Sequence, residues 1–204
     1  MSARVRADCV VHELMQHRMT RRSPLLDELY RQWSALRGDG PPPRIEDVEA
    51  GDLRFIESHA MVLDRLGPGA VRLRGGGRVV AALLGTEPRG LPARALFRAV
   101  GRTEVMDALD QTFTRPAIVT LDLLDDAPGE AAPLSAQMLV VPMRGRSGAV
   151  DKALACLALR GPVGMRPRRF RLEARQVAPL APPRRSAPPR PLVAAGGGGL
   201  RLVT

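Results

Sequence analysis

The chain reads as an α+β fold with an antiparallel sheet, five strand-like runs and an amphipathic helix in front. Three observations point there. Val71 and Leu73 alternate with Arg72 and Arg74, the period of a half-buried strand. Gly75, Gly76 and Gly77 then interrupt that strand, and Gly85, Pro88, Gly90 and Pro92 cut the next stretch into short helices. Finally, two strand-like runs precede the helices and three come after them. Strands enclosing a run of helices favour an antiparallel α+β sheet over a parallel α/β one.

Taken in order, residues 1–22 are a polar, Arg-bearing extension with a short helical pattern around Val10 to Met15. The folded domain is expected over 23–175, beginning with an entry helix over 23–37. Ser23 is placed to cap that helix, Pro24 suits its first position, and Asp27 and Glu28 suit its positive end. Leu25, Leu26, Leu29, Trp33 and Leu36 form its apolar stripe, Gly38 and Gly40 stop it, and Pro41 to Pro43 make a stiff connector. Residues 45–58 read as a link. Strands are expected over Ala60–Asp64 and Gly69–Arg74, joined by a turn at Leu66, Gly67 and Pro68. Val79, Val80, Leu83 and Leu84 share a helical face. A longer helix runs from Thr103 to Phe113, with Val105, Met106, Leu109 and Phe113 on one side. Three further strands are expected over Ala117–Leu124, Leu134–Met143 and Lys152–Leu159, joined at hairpin-like lengths. From residue 176 the Pro-, Arg- and Gly-rich composition predicts a disordered tail to 204.

A length of 204 residues suits one domain with extensions, and 45% apolar residues suffice for a core. Thirty arginines against one lysine, Lys152, and no asparagine reflect GC-rich coding, which weakens any inference from arginine content. The net charge of +10 divides unevenly: +3 over residues 1–22, −2 over 23–159 and +9 over 160–204. A folded nucleic-acid binder carries its basic patch on the structured face, so this division disfavours nucleic acid as the partner of the core. Cys9 and Cys156 make neither a disulfide framework nor a zinc site, and Cys156 in ALACLAL reads as a small buried hydrophobe. No apolar run reaches membrane-spanning length and no signal-peptide pattern opens the chain, so the expected compartment is the bacterial cytoplasm.

Four segments carry a family resemblance: LYRQWSALRGDGPPPRIEDV, LLGTEPRGLP, PLSAQMLVVPMRG and GMRPRRF. In order and spacing they resemble a group of small alphaproteobacterial PAS-domain proteins that includes motility and cell-cycle regulators. The resemblance implies a five-stranded antiparallel sheet with helices over one face, a sensory or protein-interaction role, and no enzyme activity. It names no ligand, because one fold serves many. A PAS pocket would be lined by Leu84, Phe97, Met106, Phe113 and Met138, and a small apolar ligand is one occupant it could take. The same spacing suits an ordinary core, which is the preferred reading.

Sharper chemistry finds little support. A haem-binding PAS domain presents a histidine from the helices beside its pocket, but His12, His17 and His59 all precede the first strand. Flavin-adduct chemistry needs a pocket cysteine, and none lies between Cys9 and Cys156. Cys9, His12 and His17 are too few for a metal site. The triglycine lacks the Gly-Lys-Ser/Thr of a phosphate loop, so it reads as a strand-exit turn. Asp107 with Asp110, and Asp125 with Asp126, read as solvated pairs. No catalytic residue, cofactor or metal is expected. The expected partner is a signalling protein or a second copy, held through Leu25, Leu29, Trp33 and Leu36 of the entry helix. The rival reading binds nucleic acid or another anionic surface through Arg166, Arg168, Arg169, Arg171 and Arg175, by counterion release.

Overall fold

Burial patterns along the strands decide the layering. A computed structural model of the chain describes residues 23–49, 53–126 and 132–181. The expectations for 1–22 and for 182–204, including Cys9, His12 and His17, lie outside the described residues. The elements are α1 (Pro24–Arg37), α2 (Ile45–Glu49), β1 (Ala60–Gly67), β2 (Ala70–Gly76), α3 (Arg78–Leu84), a 3-10 turn (Ala93–Leu96), α4 (Arg102–Thr114), β3 (Ala117–Asp125), β4 (Leu134–Met143), β5 (Lys152–Arg160) and β6 (Arg171–Pro179).

The strands form one antiparallel sheet in the order β2-β1-β5-β4-β3-β6. Period-2 alternation sends two sets of side chains to opposite faces. Met138 and Val140 of β4, with Ala155 and Leu157 of β5, join a core beneath α3, the 3-10 turn and α4. Leu139 and Val141, with Leu154 and Cys156, join a second core beneath α1 and α2. The central strands are therefore buried on both sides. That is why β5 reads as an uninterrupted apolar run and shows no polar alternation.

The expected count of five strands is corrected to six. β6 pairs with β3 from Ala117↔Pro179 to Leu124↔Arg171, so ordered pairing continues past residue 175, where the domain was expected to end. Its sequence hides it. Leu172 and Val177 are five residues apart, which strict alternation would place on opposite faces. A register shift beside Glu173 absorbs the odd residue, and both pack against the α4 core. Its arginines and charged neighbours are those of an edge strand.

α1 covers the face opposite the other helices. Leu26, Leu29 and Trp33 follow helical spacing and are buried against β4 and β5, and the Trp33 indole Nε1–H donates to the Pro142 carbonyl at 3.0 Å. Ser23 occupies the capping position, but its side chain makes no capping bond; its backbone N–H donates to Gln137 Oε1 at 3.1 Å.

The triglycine divides between two roles. Gly75 and Gly76 remain in β2, paired with Val62 and Met61. Gly77 caps α3, and a Cβ there would sit 2.0 Å from the Glu57 carbonyl oxygen. Close backbone approach explains this glycine.

Candidate functional site

The helical layer over β1–β5 is the natural candidate, because it encloses the larger apolar core. All five expected pocket residues meet there. Phe97, Phe113 and Met138 are buried within one cluster, and Leu84 and Met106 pack against its margin. Phe97 follows the 3-10 turn, Met106 and Phe113 rise from α4, Met138 comes up from β4, and Leu84 ends α3.

A feature that no hydrophobic periodicity marks closes this layer. The segment between β5 and β6 runs back across the helices as a strap. The Arg168 amide donates to the Leu83 carbonyl at 2.7 Å, the Phe170 amide to the Leu96 carbonyl at 2.9 Å, and the Arg98 amide to the Phe170 carbonyl at 2.8 Å. Phe170 is fully buried in the same core as Phe97. Gly85, left-handed at φ 71, ends α3 directly beneath Pro167.

An ion-pair cluster fixes the strap to the sheet. Arg168 Nε lies 2.6 Å from Asp125 Oδ2, with both side chains 3% exposed. The Arg168 guanidinium also donates to the Ala132 carbonyl at 3.0 Å. Arg98 bridges Asp125 and Asp126, and its Nε donates to the Arg169 carbonyl at 3.0 Å. Arg171 completes the cluster with Asp126 at 3.0 Å and with Glu173. The Arg171 hydrogen bonds hold the Asp126 carboxyl below its ordinary range, overcoming the opposing effect of desolvation, and Asp126 raises Arg171 in turn. The expectation of a solvated Asp125–Asp126 pair is thus corrected: Asp125 ends β3 and is buried. One residue could have betrayed the strap: Phe170, an aromatic inside a basic run, marks a segment that packs.

The five arginines expected to bind anions are consequently dispersed. Arg168 and Arg171 hold carboxylates, and Arg175 donates to the Glu104 carbonyl at 3.2 Å. Arg166 and Arg169 remain exposed. The entry-helix residues are divided as well. Leu29 and Trp33 face this chain's own sheet, Leu25 is half-buried and Leu36 is 47% exposed.

The remaining reactive groups do not gather in the core beneath the layer. Cys156 lies on the α1 side, and burial pushes its thiol up to about 12. His59 sits immediately before β1. Asp110 takes Arg65 Nε at 2.9 Å, while Asp107 is exposed. Among the described residues, no three His, Cys, Asp or Glu side chains converge as metal ligands.

A family model described as a PAS domain matches residues 20–158. The strap and β6 lie beyond that match. Comparison with curated proteins gives no match. Among solved structures, a light-oxygen-voltage domain studied with a flavin analogue shares 15% identity at a TM-score of 0.41, over 57% of this chain and 85% of that one. The dark form of the blue-light photoreceptor Aureochrome1 LOV shares 13% identity at a TM-score of 0.40, over 59% and 87%.

Proposed function

Since the chain belongs to the PAS domain family, we propose that it is a non-enzymatic signalling module whose helical layer senses a small molecule or docks a partner, and whose strap relays the outcome to β6. One observation carries the relay. The Phe170 backbone bonds both Leu96 and Arg98, its ring is buried in the layer's core, and the next residue begins β6. A shift of the 3-10 turn therefore has to move the root of β6 or break those bonds. Hydrogen exchange on the full chain tests the idea. Phe170→Leu should speed exchange in both the 3-10 turn and β6 while leaving α1 unchanged. Faster exchange in the turn with β6 unaltered would reject the relay.

A role in bacterial motility or cell-cycle control, in the cytoplasm of an alphaproteobacterium, is supported by the four motif segments that resemble that group. Self-association is the accompanying proposal. With Leu29 and Trp33 committed to the chain's own sheet, the surface left to a second copy on α1 centres on Leu36 and the exposed edge of Leu25. Light scattering should show a dimer that Leu36→Glu converts to a monomer, and a monomeric wild type would sink the proposal.

A further inference from the structure

A cavity of about 460 Å³ opens at one end of the sheet, away from the core under α3 and α4. Four separate pieces of chain build it: the connector after α1, the α4–β3 turn, the β4–β5 turn and the end of β6. Pro41, Pro42, Pro116, Val150, Pro179 and Leu180 give it apolar walls. Its volume falls within the roughly 300–1,000 Å³ usual for small-molecule sites.

Arg37, Arg115 and Arg144 also line it, and among the described residues no acidic side chain does. None of the three guanidiniums meets a carboxylate of the described residues. Arg37 stacks 5.9 Å from the Trp33 ring centre and donates from Nη2 to the Ala181 carbonyl at 2.9 Å, but its Nε is buried with no hydrogen-bond partner. Arg144 donates from Nε to the Pro42 carbonyl at 2.6 Å. The Arg115 side chain makes no hydrogen bond or ion pair among the described residues. Guanidinium N–H groups beside apolar walls attract anions more strongly than they would in open water, and their fork matches a carboxylate, phosphate or sulfonate.

We propose that this cavity binds a small amphipathic anion, its apolar body against the proline-rich walls and its charged group on the arginines. The walls favour an anion that carries an apolar body over a bare inorganic one, and the guanidiniums of the lining favour a charged ligand over a neutral apolar one. The site is separate from the helical-layer core, so it stands or falls independently of the relay.

The test uses 8-anilinonaphthalene-1-sulfonate as the probe, on the purified full chain, by calorimetry and fluorescence. One site per chain is expected. The uncharged N-phenyl-1-naphthylamine should bind at least tenfold more weakly, and inorganic phosphate should not displace the probe at equal concentration. Arg115→Ala touches an exposed side chain, so it should keep the thermal midpoint and weaken the probe about tenfold, the scale of one charge-assisted hydrogen bond. Val150→Trp should fill the cavity and abolish the site. Equal affinity for the charged and uncharged probes, or wild-type affinity in Arg115→Ala, would overturn the proposal. So would a folded Val150→Trp that still binds.

Discussion

At the scale of single residues, the buried pair at the end of β3 governs what substitutions cost. Asp125 is shared by Arg168 and Arg98, so removing it takes the carboxylate away from a guanidinium that is almost wholly buried. Asp125→Ala should cost about 3–5 kcal/mol in urea unfolding, the scale of a broken buried ion pair. Arg168→Met should cost less, because Arg98 still neutralises Asp125 and the thioether fills the vacated space. A larger loss in Arg168→Met than in Asp125→Ala would contradict this division. Trp33 is a second such residue. It is 2% exposed against the chain's own sheet, so Trp33→Glu should unfold the domain and not simply separate subunits. Circular dichroism would show a folded variant if that were mistaken. Gly77→Ala belongs to the same class for a steric reason: its Cβ would meet backbone oxygen, which cannot rotate out of the way as a side chain can.

At the scale of elements, β6 and the strap decide whether the sheet has an open edge. β6 pairs with β3 from Ala117 to Leu124, a stretch whose Val119, Leu121 and Leu123 are core residues. Deleting 171–181 should leave β3 as a bare, apolar edge strand, and the protein should aggregate at concentrations where the full chain does not. Size-exclusion chromatography reads this directly, and a soluble, monodisperse deletion would show that β6 is dispensable. These elements also mark where the sequence was legible. α1, α4 and β2 could be located from periodicity, because each presents a regular apolar face to a core, whereas β5 stood out as a continuous apolar run buried on both sides. β4 falls at Leu134–Met143 in both reading and structure. β6 could not be found that way, since the extra residue at Glu173 breaks its alternation and an edge position permits arginine. That Leu84, Phe97, Met106, Phe113 and Met138 fall together in one core was legible for the same reason as the helices that carry them. The strap was not, because its bonds run from backbone to backbone across distant segments, and local pattern does not encode such pairing. The cavity at the end of the sheet was invisible for a related reason: four stretches of chain far apart in sequence meet only in the folded protein.

At the scale of the whole molecule, charge among the described residues serves to join pieces of chain. Asp125 and Asp126 gather arginines from the stretch after the 3-10 turn, from the strap and from β6, so the acidic end of β3 holds together segments far apart in sequence. This arrangement has a consequence for acid stability. Arg171 depresses the Asp126 carboxyl in the folded state, so the unfolded chain takes up that proton at a higher pH than the folded one. The stabilisation is therefore complete above the unfolded value of about 4 and falls away as pH drops through the lower folded value. Glu28 behaves alike: hydrogen bonds from Arg31 and Gln32 hold it down to about 2, although it lies on the exposed side of α1 and its contribution is screened. Asp126→Asn removes the titrating group and keeps the size of the side chain. Its urea midpoint should lie below that of the wild type at pH 7, and the gap should close progressively below about pH 4 as the wild-type carboxylate becomes protonated. A gap of constant size from pH 7 down to pH 2 would mean that Asp126 acts through shape or hydrogen bonding alone. The charge network at the root of β6 would then have no part in the protein's response to acid.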